Sequence, residues 1–194
     1  MNDLPEITTE RLRVAHARPE QAAAHAAFMA RNREHFERWE PPRSSGVETP
    51  AYWTRQLAQA IEDFHADNSV RFVLFPLEAP TRLIGRVNFT QIYRGPFQSA
   101  VLGYQIDVDE QGKGLMHEAL QAAVSYMFEV RRLHRIEANY LQENERSARL
   151  LERLGFVLEG MSRAYLFIDG AWRDHVRAVR INEAFDASVF DAGA

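Results

Sequence analysis

One turn between a predicted strand and a predicted helix decides the fold: Ile106-Asp107-Val108-Asp109-Glu110-Gln111-Gly112-Lys113-Gly114-Leu115-Met116. Amide groups at the start of a helix have no partner within the helix, and the helix dipole adds partial positive charge there. The two glycines of this turn let an anion approach the backbone closely. The stretch therefore predicts a site for phosphate or pyrophosphate.

Three phosphate-binding patterns can be compared with this turn. A Walker A loop requires GxxxxGK followed by Ser or Thr, which Gly112-Lys113-Gly114 does not match. A dinucleotide-binding GxGxxG requires a small residue where His117 stands, and an early βαβ unit. The pattern Q/R-x-x-G-x-G/A is matched by Gln111 and Gly114, with Met116 in place of the final small residue. An ordinary strand-to-helix turn that contains glycine stays open as the alternative.

The elements before the turn are predicted from hydrophobic periodicity and from residues that begin helices. Thr49 is expected to cap one of the helices, and Pro19 is expected in the first turn of another. The predicted elements are a strand at Arg11–Ala15, helices from Pro19 to about His35 and from Thr49 to about His65, and strands at Val70–Phe75, Leu83–Ile92 and Ala100–Val108.

After the turn, helical and strand-like segments alternate. The predicted elements are a helix from Leu115 to Val130, a strand at Arg135–Leu141, a short helix over 148–154 that ends at Gly155, and strands at Val157–Ile168 and Trp172–Ile181 joined by Asp169-Gly170. This order predicts an α+β fold with a mixed, mostly antiparallel sheet of about seven strands flanked by about four helices. We expect a single domain over residues 1–194 with its core at about 8–182.

Composition excludes several classes of protein. The 194 residues carry 23 basic and 27 acidic side chains, a net charge of −4, which argues against attachment to nucleic acid by bulk charge. The chain has no cysteine, so disulfides, thiol nucleophiles and zinc–thiolate sites are excluded. His117-Glu118 lacks the second histidine of HExxH, and we predict no metal. No signal sequence or apolar run of roughly 20 residues is visible, so a cytoplasmic protein without a membrane segment is expected.

The turn at Gln111 and Gly114 resembles the pyrophosphate turn of the GNAT N-acetyltransferase superfamily. The order of elements from Arg11 to Ile181 is similar to the order in that fold, and 144–156 resembles its second cofactor motif. Three further blocks resemble the RimJ/RimL-type ribosomal-protein alanine N-acetyltransferases: Trp39-Glu40-Pro41, 112–120 and 168–175. This resemblance implies direct transfer, in a ternary complex, of acetyl from acetyl-CoA to the α-amino group of a protein N-terminus, with a ribosomal protein as the expected partner.

The resemblance also implies which residues bind acetyl-CoA. In the family, the amides of the turn hold the pyrophosphate, a splayed strand pairs with the pantetheine arm, and an asparagine hydrogen-bonds that arm. The alternative for the asparagine is a plain helix cap. The implied cofactor-binding residues are Ile106, Val108, Gln111, Gly112, Lys113, Gly114, Leu115, Met116, Asn144 and Ser147.

The catalytic residues are less plainly marked. Many GNAT enzymes protonate the departing thiolate with a tyrosine seven residues after the motif asparagine, where this chain has Leu151. RimL-type relatives use a serine at the place of Ser147, so we predict Ser147 as the acid, with helix capping as the alternative. Some relatives carry a glutamate at the place of Asn139.

The general base has several candidates. Glu40 follows the first predicted helix in a stiff loop, and we predict it as the base, with Glu137 and Asp174 as alternatives. An α-amino group has a pKa of about 8, so its deprotonation makes a modest demand on any base.

Two other functions stay open. One is a GNAT enzyme that acetylates a small-molecule amine, and the other is a CoA-binding regulatory or ribosome-assembly module with weak catalysis. Nucleic acid is expected to be met only through the ribosome. The basic cluster Arg131–Arg135 is interpreted as a solvated helix end, with contact to ribosomal RNA or to the 3′-phosphate of the cofactor as the alternatives. Both a monomer and a homodimer are compatible with the sequence.

Overall fold

The computed structural model describes residues 4–193, which contain a single sheet of eight strands in the order β1-β2-β3-β4-β5-β6-β8-β7. Among these residues, β5 and β6 are the one parallel pair, and the other neighbours run antiparallel. The predicted α+β class with a mixed, mostly antiparallel sheet is confirmed. The strands are Glu6–Thr8 (β1), Leu12–His16 (β2), Val70–Pro76 (β3), Gly85–Tyr93 (β4), Ser99–Ile106 (β5), Arg135–Leu141 (β6), Val157–Ile168 (β7) and Ala171–Ile181 (β8).

Five α-helices accompany the sheet in the described residues. Thr49 caps α3 as predicted, since its side chain accepts a hydrogen bond from the amide of Tyr52. The Asp169-Gly170 turn has left-handed backbone at both residues, as a tight hairpin requires. The helices are Ala22–Arg31 (α1), Arg33–Glu37 (α2), Pro50–His65 (α3), Leu115–Glu129 (α4) and Glu145–Arg153 (α5), and 3₁₀ turns lie at Pro19–Gln21, Val108–Glu110 and Ala187–Gly193.

The structure departs from the prediction in several places. Strand β1 adds an eighth strand to the seven or so expected, and α5 begins at Glu145, three residues before the predicted start. The single helix predicted from Pro19 to His35 is divided at Asn32, whose buried amide donates to the carbonyl of Phe28 and accepts from the amide of Val108. The strand predicted to reach Val108 ends at Ile106, because Val108 enters a 3₁₀ turn.

Helices cover both faces of the sheet. Alternate residues of a strand point to opposite faces, so neighbours in β3 belong to two different cores. Phe72 packs with the residues of α4 in the larger core. Val73 packs with the residues of α1 and α3, including Trp53, in the smaller core.

The sheet opens between β5 and β6. Their parallel pairing runs from Ser99 with Arg135 to Leu102 with Ala138. Beyond that point β5 stays paired with β4 as far as Ile106, while β6 stays paired with β8 as far as Leu141. Residues 103–106 and 139–141 therefore line an opening through the sheet, and the glycine turn follows directly at its end.

Candidate active site

The glycine turn has the backbone geometry that an anion site requires. Gly112 and Gly114 have φ of 77° and 78°, and Gly114 is the N-cap of α4. A Cβ built on Gly112 would meet no atom within 4 Å, so a ligand can lie against this backbone. The first amides of α4, from Leu115 and Met116, have no acceptor within the helix. These features fit a phosphate group bound by amide N–H groups.

Ion pairs hold the turn in place. Arg11 donates to the carbonyl of Lys113 at 2.9 Å and to the carboxylate of Glu118 at 2.7 Å. The ammonium of Lys113 lies 2.8 Å from Glu110, which also pairs with Arg82. The half-exposed Lys113 is therefore available to a phosphate at the cost of one surface ion pair.

The side chain of Gln111 is tied to α2. Its Nε2 lies 2.6 Å from Nε2 of His35. Burial, with Arg146 and Arg38 nearby, lowers the pKa of His35, so a neutral imidazole accepts this hydrogen bond. The position of Gln111 thus depends on the short helix that follows Asn32.

Main-chain groups of β5 point into the opening. In an antiparallel pair, every second residue of a strand hydrogen-bonds to the neighbouring strand. The amide of Asp107 donates to the carbonyl of Ile84, directly before β4, at 2.8 Å. By that alternation Tyr104 and Ile106 turn their amide and carbonyl groups away from β4, towards β6. Ile106 is therefore placed as its expected role in pairing with a pantetheine arm requires.

The amide of Val108 is already engaged. It donates to Oδ1 of the buried Asn32 at 2.9 Å. Since a backbone N–H supplies one hydrogen bond, the amide of Val108 is occupied in this structure, whereas the amide of Ile106 faces the opening.

Asn144 and Ser147 lie at the start of α5. Oδ1 of Asn144 accepts from the backbone amide of Ser147 at 3.1 Å, which is a helix cap. The hydroxyl of Ser147 is not used in this cap. It accepts a hydrogen bond from the hydroxyl of Tyr104, at 3.0 Å across the opening.

Tyr104 was not singled out from the sequence. Burial raises its pKa to about 12, outweighing the hydrogen bond with Ser147, so its hydroxyl stays protonated at neutral pH. Its position two residues before Ile106 in a strand, and hence on the same face, is the signal that would have found it.

Glu40 lines a cavity of about 310 Å³ on the face of the sheet covered by α1 and α3. The cavity also contacts Arg86 and Asn88 of β4, which pair with Gln105 and Gly103 in the open part of β5. The cavity therefore adjoins the opening from the side opposite Ser147. Burial raises the pKa of Glu40, and the nearby Arg86 and Arg43 offset this only in part.

The alternative bases are held by other residues. Glu137 accepts from Asn139 at 3.0 Å and from Arg177 at 2.6 Å. Burial favours its neutral form, but these hydrogen bonds outweigh burial and lower its pKa, which makes it a weaker base. Asp174 accepts from the amide of Ala164 at 2.7 Å and so stabilises an irregular part of the β7–β8 hairpin.

The basic cluster at 131–135 is also committed to ion pairs. Arg131 bonds to Asp67, and Arg135 bonds to Glu159. Within residues 4–193, no helix combines the length and apolar character needed to cross a bilayer. In that same range, His, Asp and Glu side chains do not form a group of three or more that is arranged to hold a metal ion.

A glycine turn with the geometry of an anion site, a sheet opened beside it and a cavity on the far side are the arrangement expected of an acyl-CoA-dependent transferase. The family model for the acetyltransferase (GNAT) domain matches residues 11–157, and the chain belongs to this family. It is an acetyl-CoA-dependent N-acetyltransferase.

Particular relatives cover nearly the whole chain. The [ribosomal protein uS5]-alanine N-acetyltransferase of Escherichia coli K12 is 44% identical over 172 residues, which are 88% of this chain and 87% of the relative. The ribosomal-protein-S5-alanine acetyltransferase of Vibrio fischeri superposes with a TM-score of 0.90 at 36% identity, over 94% of this chain and 99% of that one. The structure of RimJ from Mycobacterium smegmatis in complex with CoA-disulfide superposes with a TM-score of 0.84 at 25% identity, over 97% of this chain and 91% of that one.

Proposed function

We propose that the acetyl acceptor is the α-amino group at the N-terminus of a ribosomal protein, with alanine as the acetylated residue. Two relatives with high coverage are named for this reaction on ribosomal protein S5. The observation that carries the proposal is the cavity beside Glu40, which adjoins the open part of β5. Ribosomal proteins are made in the cytoplasm, which is where we propose that the enzyme acts.

The chain's own residues are placed to bind and orient both substrates. Acetyl-CoA supplies the acetyl group as a thioester. The amides of the glycine turn and Lys113 would hold its phosphates, and the main chain of Ile106 would pair with its pantetheine arm. The same edge of β5 presents N–H groups toward the thioester carbonyl, where they stabilise negative charge that develops on the oxygen.

Proton transfers occur at the two ends of the opening. On the cavity side, Glu40 accepts the proton that the α-ammonium loses, directly or through water. The neutral nitrogen then attacks the carbonyl carbon. As the carbon–sulfur bond breaks, the nitrogen loses its second proton to water, which leaves the neutral amide. On the other side, Ser147 donates its proton to the departing sulfur and draws a replacement through Tyr104 from solvent.

Two alternatives are distinguished by one assay. Release of free thiol from acetyl-CoA is measured with Ala- and Ser-starting peptides, with lysine peptides whose N-termini are blocked, and with small amines. The proposal expects turnover only with free peptide N-termini. Turnover confined to small amines would point to a small-molecule acetyltransferase. Binding of acetyl-CoA without turnover of any acceptor would point to a regulatory module.

A further inference from the structure

The acceptor cavity carries more positive than negative charge. Three arginines, Arg43, Arg71 and Arg86, and one carboxylate, Glu40, contribute to its lining. Arg71 is paired with Asp63 at 3.5 Å. Subtracting that pair leaves two guanidinium groups and one carboxylate, so the cavity holds an excess of one positive charge.

Arg43 is poorly satisfied for a buried arginine. Its contact with Glu40 is long, at 3.5 Å from Nη2 to Oε2. Its Nε and Nη1 are buried and, among the described residues, have no hydrogen-bond acceptor. Buried polar groups are nearly always hydrogen-bonded in native proteins, so two unpaired nitrogens of a charged side chain indicate a missing partner.

Arg86 adds a second cation that lacks close compensation. Its guanidinium donates to Gln105 at 2.7 Å and stacks over the ring of Trp53 at 4.9 Å, and both of these partners are neutral. Burial lowers its pKa to about 10, while Glu40 opposes this shift, so it stays charged at neutral pH. The positive charges of Arg43 and Arg71 repel it.

We propose that the cavity binds a carboxylate of the acceptor, an Asp or Glu side chain within the first few residues after the acetylated N-terminus, with Arg43 as its main partner. Charge-assisted hydrogen bonds between guanidinium and carboxylate are among the strongest in proteins. A volume of about 310 Å³ suits the end of an extended chain and not a folded element. This inference rests on the proposed function, since it places a peptide in that cavity.

The net charge of the chain separates binding in the cavity from general attraction of acidic peptides. A protein of net charge −4 does not attract acidic peptides in general. A preference for an acidic residue would therefore come from the cavity and depend on where in the peptide that residue stands.

The test compares pairs of Ala-starting peptides in which Glu or Gln occupies position 2, 3, 4 or 5. We expect kcat/KM to be about tenfold higher for Glu than for Gln at one or two positions, which corresponds to about 1.4 kcal/mol. In Arg43→Met this ratio should fall to about one. Arg55→Met, which removes one charge from the exposed side of α3, should keep the wild-type ratio.

The outcomes separate the two proposals. Equal rates for Glu and Gln at all positions, with Ala-starting peptides still acetylated, would overturn the carboxylate site and leave the proposed function standing. A Glu preference that survives in Arg43→Met would also overturn it. Absence of turnover with all free N-termini would overturn the proposed function itself. Thermal unfolding of each variant shows whether a changed ratio reflects the site or a damaged fold.

Discussion

The hydroxyl of Tyr104 donates to Oγ of Ser147 at 3.0 Å, and this hydrogen bond joins β5 to α5 across the opening in the sheet. Because Tyr104 is the donor, the proton of Ser147 is free to point elsewhere. The cap of α5 uses the amide of Ser147 and not its hydroxyl. The two roles open to Ser147 from the sequence, capping and acid catalysis, therefore reside on different atoms.

This separation makes the catalytic role testable. Ser147→Ala keeps the amide that Asn144 caps, so the helix should persist while the acid is lost. We expect kcat to fall by about 10²-fold, within the usual range for general acid catalysis. Tyr104→Phe should lower kcat about tenfold, because Ser147 loses the donor that orients it. Steady-state kinetics and circular dichroism check both expectations.

The double variant supplies the control. If the two hydroxyls act as one unit, Ser147→Ala with Tyr104→Phe should be scarcely slower than Ser147→Ala alone. Independent, multiplying losses would show that Tyr104 acts elsewhere. An unchanged kcat in Ser147→Ala would mean that Ser147 has a structural role in α5 and is not the acid.

Glu40 predicts a specific pH dependence. A base works only when it is ionised, and burial raises the pKa of Glu40, so its contribution should disappear as pH falls through that raised value. At pH 9 the α-amine, with a pKa of about 8, is mostly neutral without help. At pH 7 only about one tenth of the amine is neutral, so Glu40→Gln should lower kcat/KM by about tenfold at pH 7 and scarcely at pH 9.

Glu137→Gln is the matched control. Its carboxylate is bound by Arg177 and Asn139, so the substitution should lower the free energy of unfolding. Any change in kcat/KM should be the same factor at pH 7 and at pH 9. A pH-dependent loss in Glu137→Gln, with none in Glu40→Gln, would exchange their roles.

Local sequence was enough to locate the glycine turn. Gly112 and Gly114 mark the break between β5 and α4, and the start of α4 follows from hydrophobic spacing. The cap of α5 by Asn144 is local in the same sense. These parts were predicted because each depends on residues within a few positions along the chain.

The other features of the site depend on contacts between residues that are far apart in the sequence. Tyr104 meets Ser147, 43 residues later, only once β5 and β6 have separated. Arg43 and Arg86 share a cavity because a loop after α2 folds over β4. The break in the first helix depends on Asn32 finding the amide of Val108, 76 residues away. Hydrophobic periodicity carries no information on such contacts.

The turn predicts a selective loss of cofactor binding. Alanine at Gly112 must adopt φ near 77°, at about 1 kcal/mol of strain, and places a methyl group where the ligand would lie. Gly112→Ala should raise the KM for acetyl-CoA about tenfold and change kcat little. Gly95, with φ of 59° and equally open surroundings, lies at the other end of β5. Gly95→Ala should lose similar stability with an unchanged KM, and a raised KM there would argue against the turn as the phosphate site.

Two buried histidines predict how stability depends on pH. Burial lowers the pKa of His25 to about 3 and that of His16 to about 4. Below pH 6.5 the unfolded chain binds protons that the folded chain does not, so the free energy of unfolding is highest above pH 6.5 and falls as the pH is lowered. Each histidine should lower the free energy of unfolding by about 2 kcal/mol between pH 7 and pH 5. In urea unfolding, His25→Gln should show that much less loss, while exposed His65→Gln should match wild type.

From the position of Gly103 we predict that the acceptor reaches the thioester past this residue. Its φ is not in the left-handed region, and a Cβ there would meet nothing within 4 Å, so neither backbone nor packing requires glycine. It pairs with Asn88, which lines the cavity beside Glu40 where we place the acceptor, and therefore faces the same side. In Gly103→Leu the side chain should fill this junction, raising the KM for an Ala-starting peptide at least tenfold while the Kd of acetyl-CoA stays within a few-fold. Val101→Leu adds bulk on the same face where β5 is still paired with β6, and should leave both constants unchanged. Equal peptide KM values in the two variants would mean that the acceptor enters by another path.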